Sequence, residues 1–254
     1  MKKIFNILIM FLMFNYIGYA FRLDGIHFNQ RMDGKEGGYR EFYLINDTKM
    51  KQRYRVKVLP SEKNNASEYI QIYPKVITLE PKEKGIVKVF ANAPNELPKK
   101  EYFFKLQFIP VTIPTLAKAK EGAIAGTSNV SIAPVVEMKG YVGEIDFSKA
   151  LSLENIRIGK AEKTKDGKDG GIIVKALIKN SSHAGIEMGA EAYLKNDFFV
   201  GADYIGEIKA NEQGKEIVMK FKNIKSEKEL KKIVLYRTPS YVREVLKEID
   251  IKEN

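Results

Sequence analysis

From residue 21 onward, apolar and polar positions alternate in short runs separated by turn-forming residues. The run 39–45 (YREFYLI) closes on Asn46-Asp47, and 52–58 (QRYRVKV) places Tyr54, Val56 and Val58 on one face. The pattern continues through 69–73, 75–79, 85–90 and 102–109, interrupted at Glu80-Pro81 and by the proline-bearing loop 92–100. Residues 21–28 read as a first strand, with Asp33-Gly34 and Gly37-Gly38 as the turn after it. Period-two alternation in runs of this length, bounded by Gly, Pro, Asn and Asp, predicts consecutive strands of a β-sandwich. No long 3.6-residue periodicity competes with it, so the class is all-β.

Beyond Pro110, the stretch 111–129 carries Pro114 and a run of small residues and lysines (LAKAKEGAIAGTSN), a connection longer than a compact sandwich needs. It leads into 130–142 (VSIAPVVEMKGYV), where Val130, Ile132, Val136 and Met138 share one parity around Pro134. A proline has no donor for a ladder, so this segment is expected at a sheet edge or bulge. From Gly143 the chain changes domain, with 144–147 as the elbow. The runs 156–159, 172–180, 185–200, 204–209 and 216–221 then suffice for a second sandwich. Ser226 and Glu229 form a capping-box pair before the strand-like 233–236, and 241–249 fits helical spacing as well as a terminal strand.

The first twenty residues differ from the rest. Lys2 and Lys3 precede a mostly apolar stretch, and Gly18-Tyr19-Ala20 supplies small residues at a cleavage site, so 1–20 reads as an export signal. Asn6 and Asn15 interrupt the run, which falls short of the roughly 20 apolar residues of a stop-transfer segment, and no stable membrane insertion is expected after cleavage. A chain of 254 residues without cysteine must stabilise its domains by burial, and neither a disulfide scaffold, a thiolate metal site nor a lipid-modified cysteine is available.

The net charge of +11 is spread over strands and turns, without an arginine-rich helix or aromatic stacking motif, and no nucleic-acid partner is expected. The surplus fits a solvated surface or a field that steers an acidic partner, and composition does not choose between them. His27 and His183 are the only histidines, with no nucleophile motif near either, and no paired metal ligands occur, so the chain is expected to be neither an enzyme nor a holder of a metal or cofactor.

The order and spacing of these runs resemble the periplasmic pilus-assembly chaperones of the PapD-like family. The resemblance is carried by Leu79-Glu80-Pro81 before a basic strand and by Leu97-Pro98 shortly before Glu101 and an aromatic strand ending in Ile109-Pro110. It is carried as well by 43–47 (YLIND) followed by 53–56 (RYRV), and it covers residues 21–110. It implies two immunoglobulin-like β-sandwich domains in an L or boomerang arrangement, here 21–143 and 144–254 after the signal. It further implies a periplasmic chaperone that binds pilus or fimbrial subunits by donor-strand complementation and delivers them to an outer-membrane usher.

On this resemblance the donor strand comprises Val130, Ile132, Val136 and Met138, and the same edge would let two copies associate. The family fixes the subunit's terminal carboxylate with two basic residues. Counting back from Asp33-Gly34 reaches Asn29, and counting forward from Leu23-Asp24 reaches His27; on the other strand, counting back from Tyr141 reaches Met138 beside Lys139. Arg31 and Lys139 are the expected anchors, with His27 and Arg22 as substitutes. The alternative reading is an exported adhesin or surface-binding module with two immunoglobulin-like domains.

Overall fold

The computed structural model describes residues 21–111, 132–162, 170–238 and 243–251. The expected export signal, 1–20, and Val130 lie outside the described residues. The chain divides into two compact units, one drawing on Met1–Pro94 and Tyr102–Gly140, the other on Asn95–Glu101 and Tyr141–Asn254.

In the first unit, β1 (Arg22–Asp24), β2 (Gly38–Ile45), β6 (Lys84–Ala91) and β4 (Ile70–Tyr73) form one sheet in the order β1-β2-β6-β4. A second sheet runs β5-β3-β7-β8, from β5 (Val76–Leu79), β3 (Gln52–Pro60), β7 (Glu101–Val111) and β8 (Val135–Tyr141). This is the A-B-E-D and C-F-G division of an immunoglobulin sandwich, with β5 added beside the C strand. Alternation decides which side chains enter the core. Phe42 and Leu44 of β2 and Val87 and Val89 of β6 meet Tyr54, Val56, Phe104, Leu106 and Phe108 of the other sheet, all fully buried. Phe28 joins them edge-on to Phe104, ring centroids 5.3 Å apart.

The second unit repeats the plan. A three-stranded sheet, β13-β10-β9, combines β9 (Leu151–Lys160), β10 (Ile172–Asn180) and β13 (Glu212–Phe221). A four-stranded sheet, β12-β11-β14-β15, combines β11 (Ile186–Leu194), β12 (Phe199–Ile208), β14 (Leu230–Arg237) and β15 (Val245–Asp250). Its core centres on Ile172, Val174, Ile178, Ile186, Met188, Ile233 and Leu235.

Both units end their second core strand with one device. Asn46 donates through Nδ2 to the carbonyls of Met50 (2.8 Å), Leu79 (3.1 Å) and Glu80 (3.0 Å), while its Oδ1 accepts from Thr48 N at 3.0 Å. Asn180, at the matching end of β10, donates to Ala184 (2.9 Å) and Lys209 (2.9 Å) and accepts from Ser182 N at 3.0 Å. Both asparagines are wholly buried, so each side-chain amide finds its hydrogen-bond partners within the protein.

Several elements differ from the sequence expectation. The first strand is only β1, because Gly25 takes φ +69° and turns the chain out of the ladder. The run read as 185–200 is two strands, β11 and the start of β12, split by a turn in which Asp197 adopts φ +62°. The terminal segment left between helix and strand is β15, since β14 offers it a ladder from Lys232↔Asp250 to Tyr236↔Val245. Ser226 does cap, accepting from Lys228 N at 3.3 Å, but the result is a single 3-10 turn, Glu227–Glu229. At the elbow, Asp146 caps the helical turn Phe147–Ala150.

Candidate strand-donating edge

β7 occupies the middle of its sheet. Its ladder to β3 runs antiparallel from Arg53↔Val111 to Pro60↔Phe104, which leaves its other flank to β8. β8 ends the sheet. It begins at Val135, later than the 130–142 expected from the pattern, because Pro134 enters the ladder only as an acceptor, taking Phe108 N at 3.1 Å on its carbonyl.

Along β8 the side chains alternate. Met138 (4 % exposed) and Gly140 face the core, Val136 is half-buried, and Val135 (47 %) and Glu137 face outward. Ile132, on the parity of Val136, is 72 % exposed. The four expected donor positions therefore divide: Ile132 is open to solvent, Val136 is intermediate, Met138 fills its own unit's core, and Val130 lies outside the described residues.

Gly140 fixes where β8 meets the segment after β1. A Cβ there would stand 2.5 Å from Met32 Cγ, 2.6 Å from Met32 Sδ and 2.9 Å from the Gln30 carbonyl oxygen, so only glycine admits this approach. Met32 is fully buried and its carbonyl accepts from Ala93 N at 2.8 Å, which pins the segment. The backbone on either side of Arg31 therefore lies against the residue that follows Lys139.

The expected anchors sit in different settings. Arg31 is held by Asp33 in a two-pronged pair, Nε to Oδ1 at 3.0 Å and Nη2 to Oδ2 at 3.1 Å, with 38 % of the arginine side chain and 5 % of the aspartate exposed. A fork-shaped pair of this kind fixes the guanidinium plane. Lys139 is half-buried on β8, His27 is half-buried and Arg22 is exposed on β1. Asn29, reached by counting from Asp33-Gly34, is 7 % exposed.

Sequence reasoning passed over Arg40. It stands between Gly38 and Phe42 on the core-facing row of β2 and is 7 % exposed, so its stem packs where an apolar residue is usual. The signal was present in the alternation of 38–45, which assigns an arginine to the inward parity.

On the outward face of β8, Ser61 Oγ donates to Glu137 Oε1 at 2.8 Å, and Lys63 Nζ lies 3.6 Å from Glu137 Oε2. The Ser61 hydroxyl holds the Glu137 carboxyl below its ordinary range; Lys63 and Lys105 act in the same direction, against a partial cost of desolvation. The β3 end and β8 are thereby tied across β7.

The sequence matches no family model, and it matches no curated protein. Its structural neighbours are chaperones of pilus assembly. The chain is similar to the YadV chaperone at 12 % identity, covering 91 % of this chain and 100 % of that one, with a TM-score of 0.42. It is similar to the SafB chaperone in complex with the SafA pilin of Salmonella enterica at 11 % identity, covering 92 % and 96 %, TM-score 0.40. A third is CsuC with the tip adhesion subunit CsuE, from the archaic chaperone-usher Csu pili of Acinetobacter baumannii, at 15 % identity, covering 90 % and 97 %, TM-score 0.38.

Proposed function

We propose that this chain is a non-enzymatic periplasmic chaperone of pilus or fimbrial subunits, which lends the β8 edge to complete a subunit's sandwich and hands the subunit to an outer-membrane usher. One observation carries the reading. β8 is the last strand of its sheet; Ile132, three residues ahead of it, and Val135, its first residue, are exposed while Val136 is only half-buried. An exposed apolar strand edge is a hazard that proteins ordinarily blunt with charge, and its retention supports use as a template for an added strand. Main-chain hydrogen bonds along β8 supply affinity, and Ile132 and its same-parity neighbours supply specificity.

The subunit's terminal carboxylate is held where the segment of Arg31 meets β8 beside Lys139. Arg31 is held on Asp33, and that fork fixes the plane of its guanidinium where the segment approaches β8.

Co-expression with a candidate subunit in the periplasm, followed by mass measurement of the purified complex, tests the reading. A one-to-one complex is expected, with β8 amides newly protected from hydrogen exchange. Ile132→Asp is expected to abolish capture while leaving the free protein folded. Capture undiminished by Arg31→Ala with Lys139→Ala would end the anchor assignment, and a complex in which β8 exchange is unchanged would end the strand-lending reading.

A further inference from the structure

The outer face of the sheet β13-β10-β9 in the second unit carries a depression of about 520 Å³ lined by Arg157, Lys160, Lys175, Lys220, Lys222 and, as the one carboxylate among the described residues, Glu162. Gly159 and Ile173 lie opposite each other in register, and Gly159 has nothing within 4 Å of where a Cβ would stand. The absence of a side chain there leaves the hollow open to solvent.

Charge is segregated along this face. At one end of β10, Lys179 Nζ pairs with Glu154 at 2.6 Å. At the other, Lys175 stands directly across from Arg157, and Lys220 faces Ile173 from β13. Like charges placed directly opposite cost stability. Among the described residues none of these five cations is paired with a carboxylate, so their fields add within the hollow.

We propose that this depression is a binding site for a multiply charged phosphate group, borne by a free oligophosphate or by an anionic lipid headgroup. Arg157 presents a planar fork that matches phosphate oxygens, and the lysines add point charges around it. A single carboxylate would leave most of the cations uncompensated, whereas an oligophosphate or a doubly charged headgroup neutralises several at once. Its occupancy relieves the repulsion between Arg157 and Lys175, so binding stabilises the unit.

The test uses the full chain, sodium tripolyphosphate, vesicles of phosphatidylcholine with or without cardiolipin, whose headgroup carries two phosphates, and a DNA oligonucleotide. Lys175→Gln with Lys220→Gln is compared with Lys209→Gln with Lys228→Gln, which removes the same charge from exposed positions outside the hollow. The first pair is expected to weaken tripolyphosphate binding tenfold or more and to abolish the rise in Tm that the anion causes, while the second pair binds as the wild type does. Response to tripolyphosphate alone assigns a free phosphate ligand; response to cardiolipin vesicles with the same dependence on Lys175 and Lys220 assigns a lipid. Equal weakening in both pairs, no binding to either probe, or binding only to a DNA oligonucleotide would overturn the proposal.

Discussion

Ser61 Oγ donates to Glu137 Oε1 at 2.8 Å, joining the end of β3 to the outer row of β8 across the intervening β7. The bond favours the ionised carboxylate and holds Glu137 below the ordinary glutamate range. A carboxyl whose folded value is depressed adds stability above its unfolded value and loses it as pH falls through the folded one. Attachment of the β8 edge should therefore weaken as pH drops below the ordinary glutamate value. Ser61→Ala should move the Glu137 titration upward by NMR, and an unmoved titration would show that the lysines alone set it.

Gly140→Ala should destabilise the first unit by roughly 1–3 kcal/mol, because the added methyl overlaps Met32 and the Gln30 carbonyl. Met32→Ala alone should cost about 2–5 kcal/mol as a cavity. The double variant should cost clearly less than the two together, since the alanine at 140 enters space that Met32 vacated. Denaturant melts of the three variants read the coupling directly.

Asn46→Ala leaves three carbonyls without the amide that satisfied them, and Asn180→Ala leaves two. Each should destabilise its own unit by roughly 2–4 kcal/mol, with Asn46 the larger. Hydrogen exchange resolved by unit should show the first unit opening in one variant and the second in the other.

Tyr54 is 1 % exposed, and burial pushes its hydroxyl up to about 12, with Asp47 adding to the shift. A group whose folded value is raised gives stability that is complete below the unfolded value, near 10, and disappears as pH climbs through the folded value. Absorbance titration should show a tyrosine that ionises well after the exposed ones, and Tyr54→Phe should remove that late phase.

Much of the fold was legible because β-structure writes its period directly into the sequence. The runs at 39–45, 52–58, 85–90 and 172–180 correspond to strands, since each alternates between a core face and a solvent face. The split of 185–200 was not legible: Lys195 and Asn196 are polar, but the apolar Phe198 and Phe199 on the far side of the turn continue the pattern. Nor did any pattern assign the loop Asn95–Glu101 to the second unit. That follows from contacts distant in sequence, the Lys100 carbonyl accepting from Val142 N at 3.1 Å and Glu101 Oε1 accepting from Gly185 N at 2.9 Å.

The candidate site was legible only in outline. Pro134 and the apolar parity around it pointed to an edge, yet they did not say which of Ile132, Val136 and Met138 would remain outside the core. Arg31 was visible as a cation, whereas its two-pronged grip on Asp33 depends on a local turn. The basic hollow on β13-β10-β9 was invisible, because Arg157, Lys175 and Lys220 lie on three strands.

By itself, the order of residues determined that this chain forms strands, approximately where they begin and end, and which side chains share a face, because a strand's two faces are set by local alternation. Tertiary structure alone decided that β8 is the last strand of its sheet, that Met138 is consumed by its own core while Ile132 is not, and that five cations share one depression. Pairing partners and packing neighbours are chosen among segments far apart in the chain, by free energies that no local pattern contains.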